Sequence, residues 1–414
     1  MSGAKRNVMV QKSESTTNWD LALAQRSRES DSGAIAAIMA QTESLNVITF
    51  SGGFPSPEIF PSRVITELTA RVLETKSATA MQYSPTRGLT SVREAVAEWL
   101  GLRGDPTPPV NDLMITSGGM DALGLLAKSY LDPGDTVAVE APTYLGAIMT
   151  FTGYQANVVG IPINDDGMDV AALADLLESG ARPKLLYTIP DYQNPTGLSL
   201  SSERRKVLVD LCRHFGVLII EDVAYRELNF SPDRPVTLQS LAPDTVVQVG
   251  TFSKIFFPGV RLGWAVGPAP IINAMISAKQ NADQCAGSLG QSLVEEYLRG
   301  GYMDQWLPKA RTFYERQCRA MLGALESTMP EGVTWTKPEG GFFTWLSVPL
   351  GVDTTALAPL AANSGVTYVP GQLFDPDGVR KHQIRLSFSC VNERQIDEGV
   401  QRLSTLLTTC RTSN

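Results

Sequence analysis

Short apolar runs recur along the middle of the chain with amphipathic stretches between them. The runs lie at residues 112–116, 136–139, 157–161, 184–189, 217–221, 245–250 and 263–266, and helical periodicity fills 143–152, 170–178 and 202–215. Apolar strands of four to six residues that alternate with amphipathic helices predict an α/β layer with a mostly parallel, buried sheet. Upstream, residues 1–18 are polar, helix is allowed from Asn18 to Met39 with a break at 30–33, and Val47–Phe50 reads as a strand. Helices are expected over Pro61–Thr75 and Ser91–Leu100. Downstream, 273–326 is mainly helical, interrupted at Gly300-Gly301. Strands at 333–336, 342–347 and 384–388 then mix with helices at 354–362 and 393–407, an α+β pattern. The last helix sets Val400, Leu403, Leu406 and Leu407 on one face. The expected division is an N-terminal arm with part of a small domain (1–60), a large domain (61–300) and a small C-terminal domain (301–414).

Composition narrows the function classes. With 414 residues, 43% of them hydrophobic, the chain can build a large core and more than one lobe. A net charge of −8 gives no reason to expect nucleic-acid binding. No apolar run approaches membrane-spanning length, and the N-terminus lacks the apolar segment of a secretory signal, so cytoplasm is the expected location. The five cysteines are scattered without a C-x-x-C, which argues for reduced structural thiols. With only His214 and His382, neither a histidine-rich metal site nor a Ser-His-Asp triad is expected.

The chemistry centres on Thr251-Phe-Ser-Lys254, followed by Arg261. A lysine in a partly dry pocket loses its proton more readily and can attack a carbonyl to form an imine. The hydroxyls of Thr251 and Ser253, with Arg261, suit a phosphate, so the stretch points to pyridoxal phosphate; an exposed Lys and Arg beside an ordinary strand is the plain alternative. Further candidates fall at the ends of strands of the same layer, where open sheets bind ligands. Gly118-Gly119 leads from a strand into a helix, a natural anion seat or a common turn. Asn194, rigid before a proline, could donate to an aryl oxygen or simply form an Asn-Pro turn. Asp222 ends an apolar strand and could face a pyridinium nitrogen or cap a helix. Tyr144 reads equally as a core aromatic. The turn Ser51–Pro57 can bring bare backbone close to a ligand or merely connect.

These segments also resemble a known family. Ser-Gly-Gly-Phe-Pro-Ser-Pro57, Gln-Tyr-Ser-Pro-Thr-Arg-Gly88, Ala-Pro-Thr-Tyr-Leu-Gly-Ala147, Gln-Asn-Pro-Thr-Gly197, Glu-Asp-Val-Ala-Tyr-Arg-Glu-Leu228, Thr-Phe-Ser-Lys254 through Arg261, and Ile-Arg-Leu-Ser387 occur in family order over residues 45–405. The chain is similar to the pyridoxal-phosphate-dependent aminotransferases of fold type I, class I/II. Within them it resembles the 2-aminoadipate and aromatic aminotransferases related to the catalytic part of MocR-type regulators. The resemblance implies an aspartate-aminotransferase-like fold and transfer of an amino group between an α-amino acid and a 2-oxo acid. It further implies that Lys254 holds the cofactor and shuttles the proton, that Asp222 pairs with the ring nitrogen, and that Asn194 and Tyr225 bond the ring oxygen. Tyr144 would stack on the ring, and the phosphate would meet the backbone of Gly118, Gly119 and Met120 together with Ser253, Thr251 and Arg261. Tyr83 would reach the cofactor of a neighbouring subunit, making a homodimer. Arg385 would grip the substrate α-carboxylate, and the backbone at Gly53 would close over it.

The chain departs from that pattern in places. Gly118-Gly-Met-Asp121 stands where many relatives have Gly-Ser-Gln-Gln, Asp191 and Val223 stand for Ser/Thr and Asp, and the segment 281–288 is unfamiliar. Decarboxylation, oxidation or elimination therefore remain alternatives to transamination. A MocR-type regulator needs a basic helix-turn-helix ahead of the enzyme-like part, and the 45 or so residues preceding the match hold no basic helix pair. The 2-aminoadipate enzymes read a distal carboxylate with an arginine on the N-terminal helix, and the corresponding position here is Ala36, within the uncharged stretch Gly33–Ala40. Neutral donors, aromatic or branched, are therefore expected, unless another arginine such as Arg87 does the reading.

Overall fold

A computed structural model describes residues 19–28 and 47–412. The polar start of the chain and the Gly33–Ala40 stretch with Ala36 lie outside the described residues. The strands in chain order are β1 (Ile48–Thr49), β2 (Leu113–Thr116), β3 (Thr136–Ala141), β4 (Asn157–Asn164), β5 (Gly167–Met168), β6 (Leu185–Thr188) and β7 (Leu218–Asp222). They continue with β8 (Val246–Thr251), β9 (Gly263–Val266), β10 (Thr334–Trp335), β11 (Phe343–Ser347), β12 (Val366–Thr367), β13 (Val369–Pro370) and β14 (Gln383–Ser387).

The alternating apolar runs form one sheet of order β2-β9-β8-β7-β6-β3-β4-β5. Its centre, from β8 through β7, β6 and β3 to β4, is parallel. Strand β9 runs antiparallel to both β8 and β2, so β2 points the same way as the parallel set. The carboxyl ends of β2, β3, β6, β7 and β8 therefore share one edge. Strands β2, β6 and β8 are buried along their whole length, as a sheet covered on both faces requires. The covering helices obey ordinary end rules. Ser201 accepts a hydrogen bond from Arg204 N to start the helix Ser202–Phe215, and Gly216, at φ 70°, ends it.

A second sheet, β10-β11-β14-β13, is antiparallel, and β1 pairs in parallel with β12. Its core joins Phe50 and Ile48 to Leu346, Ile384, Leu386, Val400 and Leu403, so the segment 47–50 packs with the C-terminal lobe. The long helix Tyr302–Thr328 serves both cores: Met303, Trp306, Leu307 and Tyr314 pack with the large sheet, and Cys318, Met321 and Leu325 with the small one. The helical region expected from 273 breaks twice, giving Ala269–Gln280, Ser288–Arg299 and Tyr302–Thr328. The break at 281–287 was not foreseen; there Asn281 closes one helix and the next resumes only after Gly287.

Candidate active site

The shared sheet edge opens into a cavity of about 330 Å³. Gly53, Gly119, Met120, Tyr144, Asn194, Asp222, Tyr225, Ser253, Lys254, Arg261 and Arg385 all line it, although they come from segments far apart in sequence. Gly118 adjoins it as the residue before the helix Gly119–Tyr130. Gly118 sits at φ 103°, and a Cβ there would come within 3.0 Å of the Arg261 guanidinium. Tyr83 is not among the lining residues; its side chain is 75% exposed.

Lys254 follows β8 by three residues, and its Nζ donates to the Gly53 carbonyl at 2.7 Å. Burial pulls its pKa down from the usual 10.5 to about 8, and the nearby Arg385 charge adds to the shift. Asp222 ends β7. Its carboxylate accepts hydrogen bonds from Tyr187 Oη at 2.9 Å and from Ala224 N at 3.0 Å. Burial still raises its pKa, against those two bonds and the charge of Lys254. A carboxylate desolvated in this way favours a cationic partner. In the same cavity, Thr251 donates to Ser253 Oγ at 3.0 Å and Arg261 Nη1 reaches the same oxygen at 3.5 Å. Backbone N–H groups at the start of the helix Gly119–Tyr130 complete a set of donors suited to an anion.

Arg385, on β14, is buried, and no carboxylate among the described residues pairs with it. Nη1 donates to Asn194 Oδ1 at 3.0 Å, Nη2 donates to the Ser51 carbonyl, and Nε has no hydrogen-bond partner. Its guanidinium carbon lies 4.3 Å from the centre of the Phe343 ring and 4.8 Å from that of Phe374. Burial pulls its pKa down to about 10. Phe343 also explains Gly53: a Cβ there would sit 2.8 Å from the ring. Tyr187, Phe343 and Phe374 were missed in the sequence. Each occupies an apolar strand or turn and reads as core; sheet register brings Tyr187 to Asp222 and Phe343 to Arg385, and the short helix Gly371–Phe374 brings Phe374 there.

Asp191, which departs from the family pattern, holds the loop that carries Asn194. It bridges Arg205 at 2.6 Å and Arg226 at 3.0 Å, all three buried. Burial alone would raise the Asp191 pKa, but the two guanidiniums reverse this and hold it below the usual range. Glu140 braces the same loop from β3, accepting from Thr188 Oγ1 at 2.6 Å, Ile189 N at 3.1 Å and Gln193 Nε2 at 3.1 Å. Burial pushes its pKa up to about 7.

The donor set fits pyridoxal phosphate. An amine with lowered pKa faces the cavity, a buried carboxylate lies on its floor, and a helix start with hydroxyls and a guanidinium lies at one end. Comparison with known proteins agrees. The family described as aminotransferase class I and II matches residues 47–403. An aromatic-amino-acid aminotransferase of Thermococcus litoralis is 41% identical over 89% of this chain and 90% of its own. A 2-aminoadipate transaminase of Thermus thermophilus is 36% identical over 94% and 97%. The crystal structure of Pyrococcus horikoshii kynurenine aminotransferase, solved in complex with PMP, superimposes with a TM-score of 0.91 and 38% identity over 95% of this chain and 98% of that one. From cavity, fold and kinship together, the chain belongs to the class I and II aminotransferases and is a pyridoxal-phosphate-dependent enzyme that moves an amino group between an α-amino acid and a 2-oxo acid.

Proposed function

We propose that this aminotransferase acts on neutral donors, aromatic or branched, with a 2-oxo acid such as 2-oxoglutarate as acceptor. The observation that carries the reading is the apolar wall beside Arg385. Phe374 and Leu145 belong to one apolar cluster with Trp345 and Val369, and Phe54, Met120, Leu123 and Ile189 extend the lining. Among the described residues these apolar side chains offer a second carboxylate nothing to pair with and accept an apolar side chain. Arg87, the other arginine considered, is committed to the Asn111 carbonyl and to Asn273 Oδ1 at 2.6 Å, and it does not line the cavity. The names of the Thermococcus and Pyrococcus relatives support the reading, while that of the Thermus enzyme favours the competing one. Competing donors at equal concentration decide between them: kcat/KM for phenylalanine or leucine should exceed that for 2-aminoadipate, and a lead for 2-aminoadipate overturns the proposal.

The cofactor, when bound, supplies an electron-withdrawing ring that delocalises charge from the substrate Cα. In the proposed assignment Arg385 binds the α-carboxylate through its two nitrogens, and the backbone of Gly53 closes over the substrate. Lys254 Nζ takes the Cα proton and returns it, a task suited to an amine with a pKa of about 8. Asp222 keeps a cationic ring nitrogen charged, Asn194 and Tyr225 hold the ring oxygen, and Tyr144 lies against the ring. Gly118, Gly119, Met120, Thr251, Ser253 and Arg261 hold the phosphate. The same proposal assigns Tyr83 to the cofactor of a second subunit in a homodimer. Its support is an exposed patch in which Met81 and Tyr83 lie beside Leu289, where Ser288 Oγ donates to the Gln82 carbonyl. Sedimentation of the holoenzyme as a monomer would remove that assignment. The division at residues 60 and 300 and residence in the cytoplasm belong to the same proposal: Ile48 and Phe50 in the C-terminal core support the first boundary, the core changes only between Tyr314 and Cys318 within the helix after the second, and the four unpaired cysteines among the described residues support the location.

A further inference from the structure

Behind the turn that leads into the helix Gly119–Tyr130 lies an ionic cluster, built on a buried lysine and reaching the surface at Asp283, that the assignment above does not use. Lys279, in the last turn of the helix Ala269–Gln280, is fully buried. Its Nζ lies 2.7 Å from Asp121 Oδ2, 2.7 Å from Asp283 Oδ1 and 3.0 Å from Ser117 Oγ. Ser117 Oγ donates to Asp283 Oδ2 at 2.6 Å, and Ser117 N donates to Asp121 Oδ2 at 2.8 Å. From the cavity side Arg261 Nη2 reaches the Ser117 carbonyl at 3.5 Å. Ser117 is thus gripped from both faces, by Arg261 in front and by the Lys279 cluster behind.

The charges sharpen the point. Two carboxylates against one ammonium leave the cluster with a net charge of −1. Asp121 lies in the first turn of the very helix whose N-terminus attracts anions, so it competes for the same field as a bound phosphate. Uncompensated, Asp121 and Asp283 would repel a dianion seated at that turn. Lys279 offsets one of these two charges. Both unfamiliar features of the sequence, Asp121 in the phosphate turn and the segment from Asn281, meet in this cluster.

We propose that Lys279 is a positioning and charge-compensating residue of the phosphate seat, and that Asp121 weakens the hold on the cofactor phosphate in proportion to how far Lys279 fails to neutralise it. The proposal rests on the assignment of the phosphate to Gly118–Met120, Ser253 and Arg261. The expected consequence is a cofactor grip tuned by a residue pair outside the cavity.

The test measures how fast holoenzyme in its pyridoxamine phosphate form loses cofactor after free cofactor is removed, read by absorbance of the protein fraction. Lys279→Met should release cofactor about tenfold faster, because the partly buried Asp121 and its neighbour Asp283 then face the phosphate without their ammonium partner. Asp121→Asn should release it about twofold or more slower, since the amide oxygen can still accept from Ser117 N and Lys279 while the negative charge is gone. The double variant should recover much of the loss seen in Lys279→Met. A purely structural clamp predicts instead that both single variants release faster. Faster or unchanged release from Asp121→Asn therefore overturns the proposal even if Lys279→Met does not fold. Arg261→Ala separates the two levels of the argument. If it leaves release unchanged, the phosphate assignment itself fails; if it speeds release while Asp121→Asn does not slow it, only the present inference fails.

Discussion

Arg205 and Arg385 are both buried guanidiniums, yet only one is finished. Arg205 gives its protons to the carbonyls of Leu200, Val236 and Pro190 and to the carboxylate of Asp191. Arg385 has one amide oxygen, one backbone carbonyl and two aromatic faces, and its Nε has no partner among the described residues. Burying a charge without a counter-charge is costly, and in the assignment proposed above the substrate carboxylate supplies that counter-charge to Arg385. The same contrast runs through the site. Asp191 is bridged by its two cations, whereas Asp222 takes its hydrogen bonds from neutral donors, feels Lys254 only at a distance and keeps a raised pKa. Completed pairs hold the loops in place; incomplete ones face the cavity.

The largest break comes at Lys254. Lys254→Ala should lower turnover on the order of 10⁴-fold or more, because no other amine among the described residues lines the cavity to carry the proton. Its denaturation midpoint should not fall, since the variant removes a desolvated amine. Activity near wild type would take Lys254 out of its role. Next comes the finished arginine: Arg205→Leu should cost about 3–5 kcal/mol of stability by chemical denaturation, as it leaves Asp191 buried without one of its two cations. A cost comparable to a surface substitution would dissolve the comparison. Arg385→Leu should behave in the opposite way. Stability should hold within about 1 kcal/mol, while kcat/KM should fall by about 2–5 kcal/mol for every α-amino acid alike. A loss confined to one substrate class would assign Arg385 to reading side chains.

The smallest effect is a pH shift. The Lys254 pKa of about 8 lies below the usual 10.5, so its neutral, nucleophilic fraction grows as pH rises through about 8. The rate at which cofactor-free enzyme captures pyridoxal phosphate should therefore rise with pH and level off above that value, well short of 10.5. Arg385 is the second cause of the depression, so Arg385→Leu should move the midpoint upward. A midpoint that stays put would mean that burial alone sets it.

Much of this was legible in the chain because its signals are local. Apolar runs such as 184–189 and 245–250 became β6 and β8 within a residue or two, and the strand-end positions of Asp222 and Lys254 followed directly. What escaped depends on partners distant in sequence. The two-residue strands β12 and β13 are too short to show a period, and β12 exists because β1, far upstream, pairs with it. Asp191 read only as a departure from a pattern. Nothing in the sequence says that Arg205 on one helix and Arg226 after β7 would both be buried against it. Lys279 looked like any helical lysine, and only the packing of its helix behind the Ser117 turn takes it out of water.

The central claim, that Arg385 is kept incomplete for the carboxylate of a neutral substrate, has one most direct test. The dissociation constant of 3-phenylpropionate is compared with that of its amide on holoenzyme, in wild type and in Arg385→Leu. The account predicts that wild type prefers the acid by about tenfold or more and that the variant binds the two alike. An acid preference that survives in the variant, or none in wild type, would contradict it.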